Sequence, residues 1–133
     1  MDSVRVLIAD DHPLVVGGLR EAVLAAAPGA EIAVAHDFDS MAAALEAAPE
    51  TDLVLLDLAM PGVRGFSGLL FLRSERPSTP VVVVSGNEDR AVIRHCLEFG
   101  ASGFERLFEV GLGFGEGLAA DVEVEEVRRL DQR

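Results

Sequence analysis

Val4-Arg5-Val6-Leu7-Ile8-Ala9-Asp10-Asp11-His12-Pro13 decides how this chain is read. Val4 to Ala9 has the length and apolar character of a buried strand, and Asp10-Asp11 ends it abruptly. Pro13 suits the first turn of a helix, where its missing N–H costs nothing. Val16, Leu19, Val23 and Ala26 follow at spacings of three and four, giving that helix one apolar face, and Pro28-Gly29 ends it.

The same unit recurs downstream. Glu31 to Ala35 is a second, shorter strand, and Asp39 or Ser40 can cap a helix whose Met41, Leu45 and Ala48 share a face. Leu53 to Leu56 is a third strand that runs straight into Asp57, with Pro61-Gly62 turning the chain towards a helix over Phe66 to Arg73. Val81 to Val84 is a β-branched run of the kind buried on both sheet faces, and it ends at Ser85. Asp89 to Phe99 is a helix with Val92 and Cys96 on one side and Gly100 at its end. Ser102 to Leu107 makes a fifth strand. Five alternations of strand and helix imply an α/β domain, a doubly wound parallel sheet with helices on both faces in three layers. Binding chemistry in such sheets sits at the carboxyl ends of the strands, where Asp10, Asp11, Asp57 and Ser85 all fall.

Composition narrows the function. The 133 residues fit one domain, half of them are hydrophobic, and with seven Phe but no Trp or Tyr the core must be aliphatic. A formal charge of −12 repels phosphate backbones and anionic lipid, so direct nucleic-acid binding and membrane association are not expected of this segment. The plain reading of that acidity is a solvated surface. Cys96 is the sole cysteine, which excludes an internal disulfide and suits a reducing cytosol; within an apolar helix it reads as a packing residue. The N-terminal apolar run is too short and too soon acidic for a signal peptide or a membrane span, so a cytoplasmic protein is expected. His12, His36 and His95 lack zinc spacing, and no G-x-G-x-x-G follows the first strand.

Three carboxylates at one end of a sheet repel each other unless a cation joins them. Oxygen ligands of this kind suit Mg²⁺, which bridges carboxylates to a phosphoryl group. A carboxylate is also a nucleophile that forms an aspartyl phosphate. Asp57 is the strongest candidate acceptor, because the strand before it and the turn after it hold it rigidly. Ser85, on the neighbouring strand, can hydrogen-bond a phosphoryl oxygen. Taken singly, each residue could equally be a cap or a strand-end residue. Jointly they favour a site.

Leu7-Ile8-Ala9-Asp10-Asp11-His12-Pro13, Leu56-Asp57-Leu58-Ala59-Met60-Pro61-Gly62, Val84-Ser85-Gly86 and Phe99-Gly100-Ala101-Ser102-Gly103-Phe104 resemble bacterial response-regulator receiver domains. The Asp-His-Pro opening and the Gly-Ala-Ser-Gly-Phe run are most similar to the LuxR-type (NarL/FixJ-like) branch. The resemblance covers residues 4 to about 104. It implies a flavodoxin-like (βα)5 fold with strand order 2-1-3-4-5, and a two-component signalling function in which a sensor histidine kinase phosphorylates Asp57. By the same resemblance Asp10, Asp11, Asp57 and the backbone carbonyl of Ala59 hold Mg²⁺, Ser85 is the switch hydroxyl and Phe104 the switch aromatic. The helix from Asp89 to Phe99 and the fifth strand resemble the surface through which many receivers form homodimers, with Arg90, Arg94 and Glu98 offering charges of both signs.

One position departs from the family. Its lysine, three residues after the switch aromatic, is Leu107 here, and all eleven Lys and Arg residues of the chain are arginines. Arg106 is adjacent, but consecutive strand residues face opposite ways. The function expected is therefore a phosphoacceptor signalling module and not an enzyme; a pseudo-receiver, serving unphosphorylated as a docking or dimerisation scaffold, is the alternative. An aspartate-nucleophile phosphatase fits less well, because its D-x-D pattern after the first strand is absent. Residues 1–107 read as the receiver core. Residues 108–133 read as an atypical segment in which Gly111, Gly113, Gly115 and Gly117 alternate, while Val110, Phe114, Leu118 and Val122 keep a four-residue spacing. Glu123, Glu125 and Glu126 before Arg128 and Arg129 suit a helix macrodipole, so a frayed fifth helix is expected, with a linker as the alternative.

Overall fold

Period-two alternation in the apolar runs builds the centre of the molecule. The structure, a computed structural model, describes residues 3–86, 89–106 and 125–132. Its strands are β1 (Arg5–Ala9), β2 (Glu31–Ala35), β3 (Leu53–Leu56), β4 (Val81–Ser85) and β5 (Gly103–Arg106). Its helices are α1 (Pro13–Ala26), α2 (Phe38–Ala47), α3 (Ser67–Glu75), α4 (Arg90–Glu98) and α5 (Glu125–Asp131). All strand pairs are parallel, in the order β2-β1-β3-β4-β5. This is the flavodoxin-like, doubly wound architecture.

Successive residues of each central strand enter opposite cores. Leu7, Ala9, Val54, Leu56, Val81 and Val83 face one layer, packed with Met41 and Leu45 of α2, Leu69 and Leu72 of α3, and Cys96 of α4. Val6, Ile8, Leu53, Leu55, Val82 and Val84 face the other, against Leu19 and Val23 of α1 and Val127 of α5. β3 is buried at every position, which is why its sequence shows no polar residue before Asp57. Burying one such aliphatic side chain stabilises the fold by about 1.5–3 kcal/mol. The Cys96 thiol is fully buried, and burial pushes its pKa up, so it packs.

The helix ends show where local reading succeeds and where it slips. Pro13 does open α1, at its first turn. Asp89 caps α4, its side chain accepting from the Ala91 N–H at 2.8 Å, and Gly100 follows the helix at φ 98°. α2, however, is capped by Asp37 and not by Asp39 or Ser40. Asp37 Oδ1 accepts from the Ser40 N–H at 2.7 Å while Ser40 Oγ accepts from the Asp37 N–H at 3.1 Å, a reciprocal capping box. Asp39 falls inside the first turn, and Ala48 is the C-cap residue rather than part of the helical face. α3 runs from Ser67 to Glu75, shifted from the expected Phe66 to Arg73, with Phe66 at its N-cap. β5 ends at Arg106. Leu107, Val110, Gly111, Gly113, Phe114, Gly115, Gly117, Leu118, Val122 and Glu123 lie outside the described residues. Further along the same segment, α5 is helical and Val127 is fully buried in the core beside α1.

Candidate functional site

The parallel register sets the site. Ala9 of β1 pairs with Ala35 of β2 and with Leu56 of β3, and Leu56 pairs with Val83 of β4. The next backbone groups continue the ladder: Asp10 N–H donates to Ala35 C=O and Asp57 N–H to Ala9 C=O, both at 2.9 Å. Asp10 and Asp57 are thus delivered side by side at the carboxyl edge. Among the described residues they are the charged side chains classed as buried, at 3% and 7% exposure.

Each carboxylate is held by the chain that follows it. Asp10 Oδ1 accepts from the His12 N–H at 2.8 Å, an Asx turn that leads into α1, and also lies 3.0 Å from His12 Nδ1. Asp57 Oδ1 accepts from the Ala59 N–H at 3.0 Å. The loop carrying Ala59 is anchored by Met60 and Val63 in the core. It is also tied to α2 through Phe38 N–H to Pro61 C=O at 3.0 Å. Gly62 turns there at φ 80°, and a Cβ on it would stand 3.0 Å from Phe38 Cβ, so only glycine fits without strain.

Two oxygens are left over. Asp57 Oδ2 and Asp11 Oδ1 are buried without a hydrogen-bond partner. His12 Nδ1 lies 3.2 Å from Asp11 Oδ1 and 3.6 Å from Asp57 Oδ2. One donor atom from each of Asp10, Asp11, His12 and Asp57 lies within 4.8 Å of the others. Burial raises the pKa of Asp10, opposed by its bond from the His12 N–H and reinforced by the charge of Asp57. Burial likewise raises Asp57, opposed by the Ala59 N–H. The bond to Asp10 raises His12. Crowded carboxylates with unfilled lone pairs, pushed towards their neutral form, suit a hard cation with oxygen preference, and Mg²⁺ fits that donor set.

The cluster floors a cavity of about 410 Å³ lined by Asp10, His12, Val15, Asp57, Ala59, Val84, Ser85 and Gly86. Ser85 therefore joins the acidic residues, as does Ala59. Phe104 does not line this cavity: it pairs with Val83 across β4 and β5 and packs, partly buried, against the core layer of α2 to α4. Leu107 lies outside the described residues. His12 is the residue that sequence reasoning missed. The Asp-His-Pro opening marks it for the resemblance and its spacing excludes zinc, but the signal for this contact is its place two residues after Asp10, where an Asx turn folds it back onto the carboxylate.

Residues 6–104 match the response regulator receiver domain family. The chain belongs to that family. The receiver is 41% identical over 100 residues to the "Glycerol metabolism activator" of Pseudomonas putida, covering 75% of this chain and 45% of that protein. It is 37% identical over 106 residues to the "Probable transcriptional regulatory protein NarL" of Mycobacterium tuberculosis, covering 77% and 47%. The crystal structure of a LuxR family DNA-binding response regulator from Silicibacter pomeroyi shares 35% identity at a TM-score of 0.62, covering 76% of this chain and 75% of that one. The chain spans less than half the length of the two curated relatives. This is a receiver domain of the two-component response regulators, similar to LuxR-type members. Among its described residues, no helix is long and apolar enough to cross a membrane.

Proposed function

We propose that this receiver accepts a phosphoryl group on Asp57 from a sensor histidine kinase, with Mg²⁺ held by Asp10, Asp11, Asp57 and the Ala59 carbonyl. The observation that carries this reading is Asp57 itself. It is a buried carboxylate at a strand end, with one oxygen fixed by the Ala59 N–H and the other unpartnered beside two further carboxylates. Such an oxygen is a nucleophile held in place. In the transfer, Asp57 Oδ2 forms the O–P bond as the P–N bond to the donor histidine breaks, and the histidine keeps the electron pair. The bound cation supplies the positive charge that lets a phosphoryl group approach three carboxylates. Ser85, at the cavity wall, hydrogen-bonds a phosphoryl oxygen, and Phe104 responds behind it as the switch aromatic. Buried and unpartnered, the Asp57 oxygen supports this reading over an unphosphorylated scaffold.

The test is intact mass after incubation with a small phosphodonor and Mg²⁺. The expected result is the gain of one phosphoryl group that Asp57→Asn abolishes; an equal gain in Asp57→Asn overturns the assignment. The reading extends to a cytoplasmic signalling module that pairs with a second copy through α4 and β5. Arg94 and Glu98 there form an exposed pair at 3.9 Å. Arg94→Glu should shift the sedimentation profile towards monomer, and an unchanged profile removes that surface from the proposal.

A further inference from the structure

A group already stands between the carboxylates of this site, and phosphoryl acceptance gives it no role. His12 Nδ1 lies 3.0 Å from Asp10 Oδ1, 3.2 Å from Asp11 Oδ1 and 3.6 Å from Asp57 Oδ2. It is held at the point where three carboxylates converge, the place that the proposed Mg²⁺ would take. The tether is short, because the backbone N–H of the same residue donates to the same Asp10 oxygen at 2.8 Å. The ring is nevertheless 60% exposed, so it can leave without disturbing either core layer. Nor does α1 need it. His12 occupies the N-cap position, yet its side chain caps no backbone group.

Two roles are chemically open to a ring in that place. A metal ligand offers its lone pair to the cation, whereas a competitor offers its N–H to the carboxylates. Asp10 Oδ1 already accepts from the backbone N–H of His12, so it is an acceptor oxygen, and the Nδ1 that meets the same oxygen is assigned the hydrogen. Mg²⁺ also prefers oxygen to imidazole. The geometry fits the competitor.

We propose that His12 is a tethered, displaceable plug of the receiver's cation site, filling the place among Asp10, Asp11 and Asp57 and swinging into solvent when a divalent cation binds. This rests on the acidic cluster being the Mg²⁺ site proposed above. The consequence is a receiver in which Asp10 keeps the His12 ring as its partner until the cation arrives, and whose Mg²⁺ affinity is set lower than its ligands alone would give.

Calorimetric titration of the full chain with Mg²⁺, at one fixed pH, compares wild type with His12→Ala and His12→Phe. Both variants should bind Mg²⁺ about three- to tenfold more tightly, the range set by loss of one competing hydrogen bond. In wild type, Mg²⁺ should also move the His12 ring resonances in an NMR titration to those of a solvated imidazole, a readout that needs no variant. Equal or weaker Mg²⁺ binding in both variants, or ring resonances unmoved at saturating Mg²⁺, overturns the plug and leaves the metal site standing. Absence of Mg²⁺ binding in wild type and variants alike overturns the site and the plug together.

Discussion

The Ala59 N–H holds Asp57 Oδ1 at 3.0 Å and leaves Asp57 Oδ2 a buried oxygen with no donor. A buried acceptor left unpaired costs about 1–3 kcal/mol. Without a cation the receiver carries that cost at Asp57. Asp57→Asn keeps the Oδ1 contact, removes a buried charge and places an amide donor beside Asp11. It should therefore stabilise the metal-free protein by about 1–2 kcal/mol, a rise of roughly 3–8 °C in the melting midpoint. Thermal denaturation in chelator checks this, and a lower midpoint in Asp57→Asn contradicts it.

Stability should fall with pH in the absence of metal. Asp10 and Asp57 both have pKa values raised above the ordinary 3.8, chiefly by burial. A carboxylate raised in the folded state binds its proton more tightly there, so its contribution is complete below 3.8 and is lost as pH rises through the folded value. His12, raised above 6.5 by its bond to Asp10, adds a loss of the same sign at higher pH. Asp37 has the opposite sign but is held below 3.8 by Ser40, so it acts only under that window. Denaturant titrations in chelator from pH 4 upward should show the decline, with saturating Mg²⁺ flattening it. A decline of the same slope in the Asp10→Asn, Asp57→Asn double variant would assign it elsewhere.

The capping box of α2 offers a test at a distance from the chemistry. Asp37→Ala removes the acceptor for the Ser40 N–H and should lower the unfolding midpoint. Asp39→Ala, at one of the two positions the sequence offered as the cap, should cost far less. Comparable losses in the two variants, measured by denaturant unfolding, would mean the box contributes nothing.

How legible all this was depended on which physics each feature used. The strands were readable because burial on both sheet faces leaves short continuous apolar runs such as Leu53 to Leu56, and that strand and the edge strand Glu31 to Ala35 fall where the sequence predicts. Asp10, Asp11, Asp57 and Ser85 were readable because a parallel sheet puts strand ends at one edge, and the register brings Asp10, Asp57 and Ser85 to one cavity. The α2 cap was not readable: Asp37, Asp39 and Ser40 are all good cap residues within one turn, and only backbone conformation chooses among them. His12 was missed for another reason. Its contacts with Asp10 and Asp11 come from a local turn, and its contact with Asp57 comes from how that turn meets a strand distant in sequence. Phe104 could be assigned to β5 but not to a cavity, since facing is decided by the register with β4.

The last prediction concerns Leu107. In the receiver family a lysine three residues beyond the switch aromatic meets the phosphoryl oxygens, and this chain has no lysine at any position. Ser85 pairs with Arg106 across β4 and β5. A charge-assisted hydrogen bond is worth roughly 1.5–3 kcal/mol, about one to two decades in an equilibrium. Leucine supplies none of it, and the added negative charge is left to the cation and Ser85. Wild type should thus take up phosphate slowly or to low occupancy, with a muted response at Ser85 and Phe104. Leu107→Lys should bind the phosphoryl mimic beryllofluoride about ten- to a hundredfold more tightly, the same one to two decades. The comparison is a titration of both proteins with Mg²⁺ present and Asp57→Asn as the blank. No gain in Leu107→Lys would mean that residue 107 is not in the lysine's place. A tight wild-type complex that Arg106→Ala abolishes would assign the missing charge to Arg106.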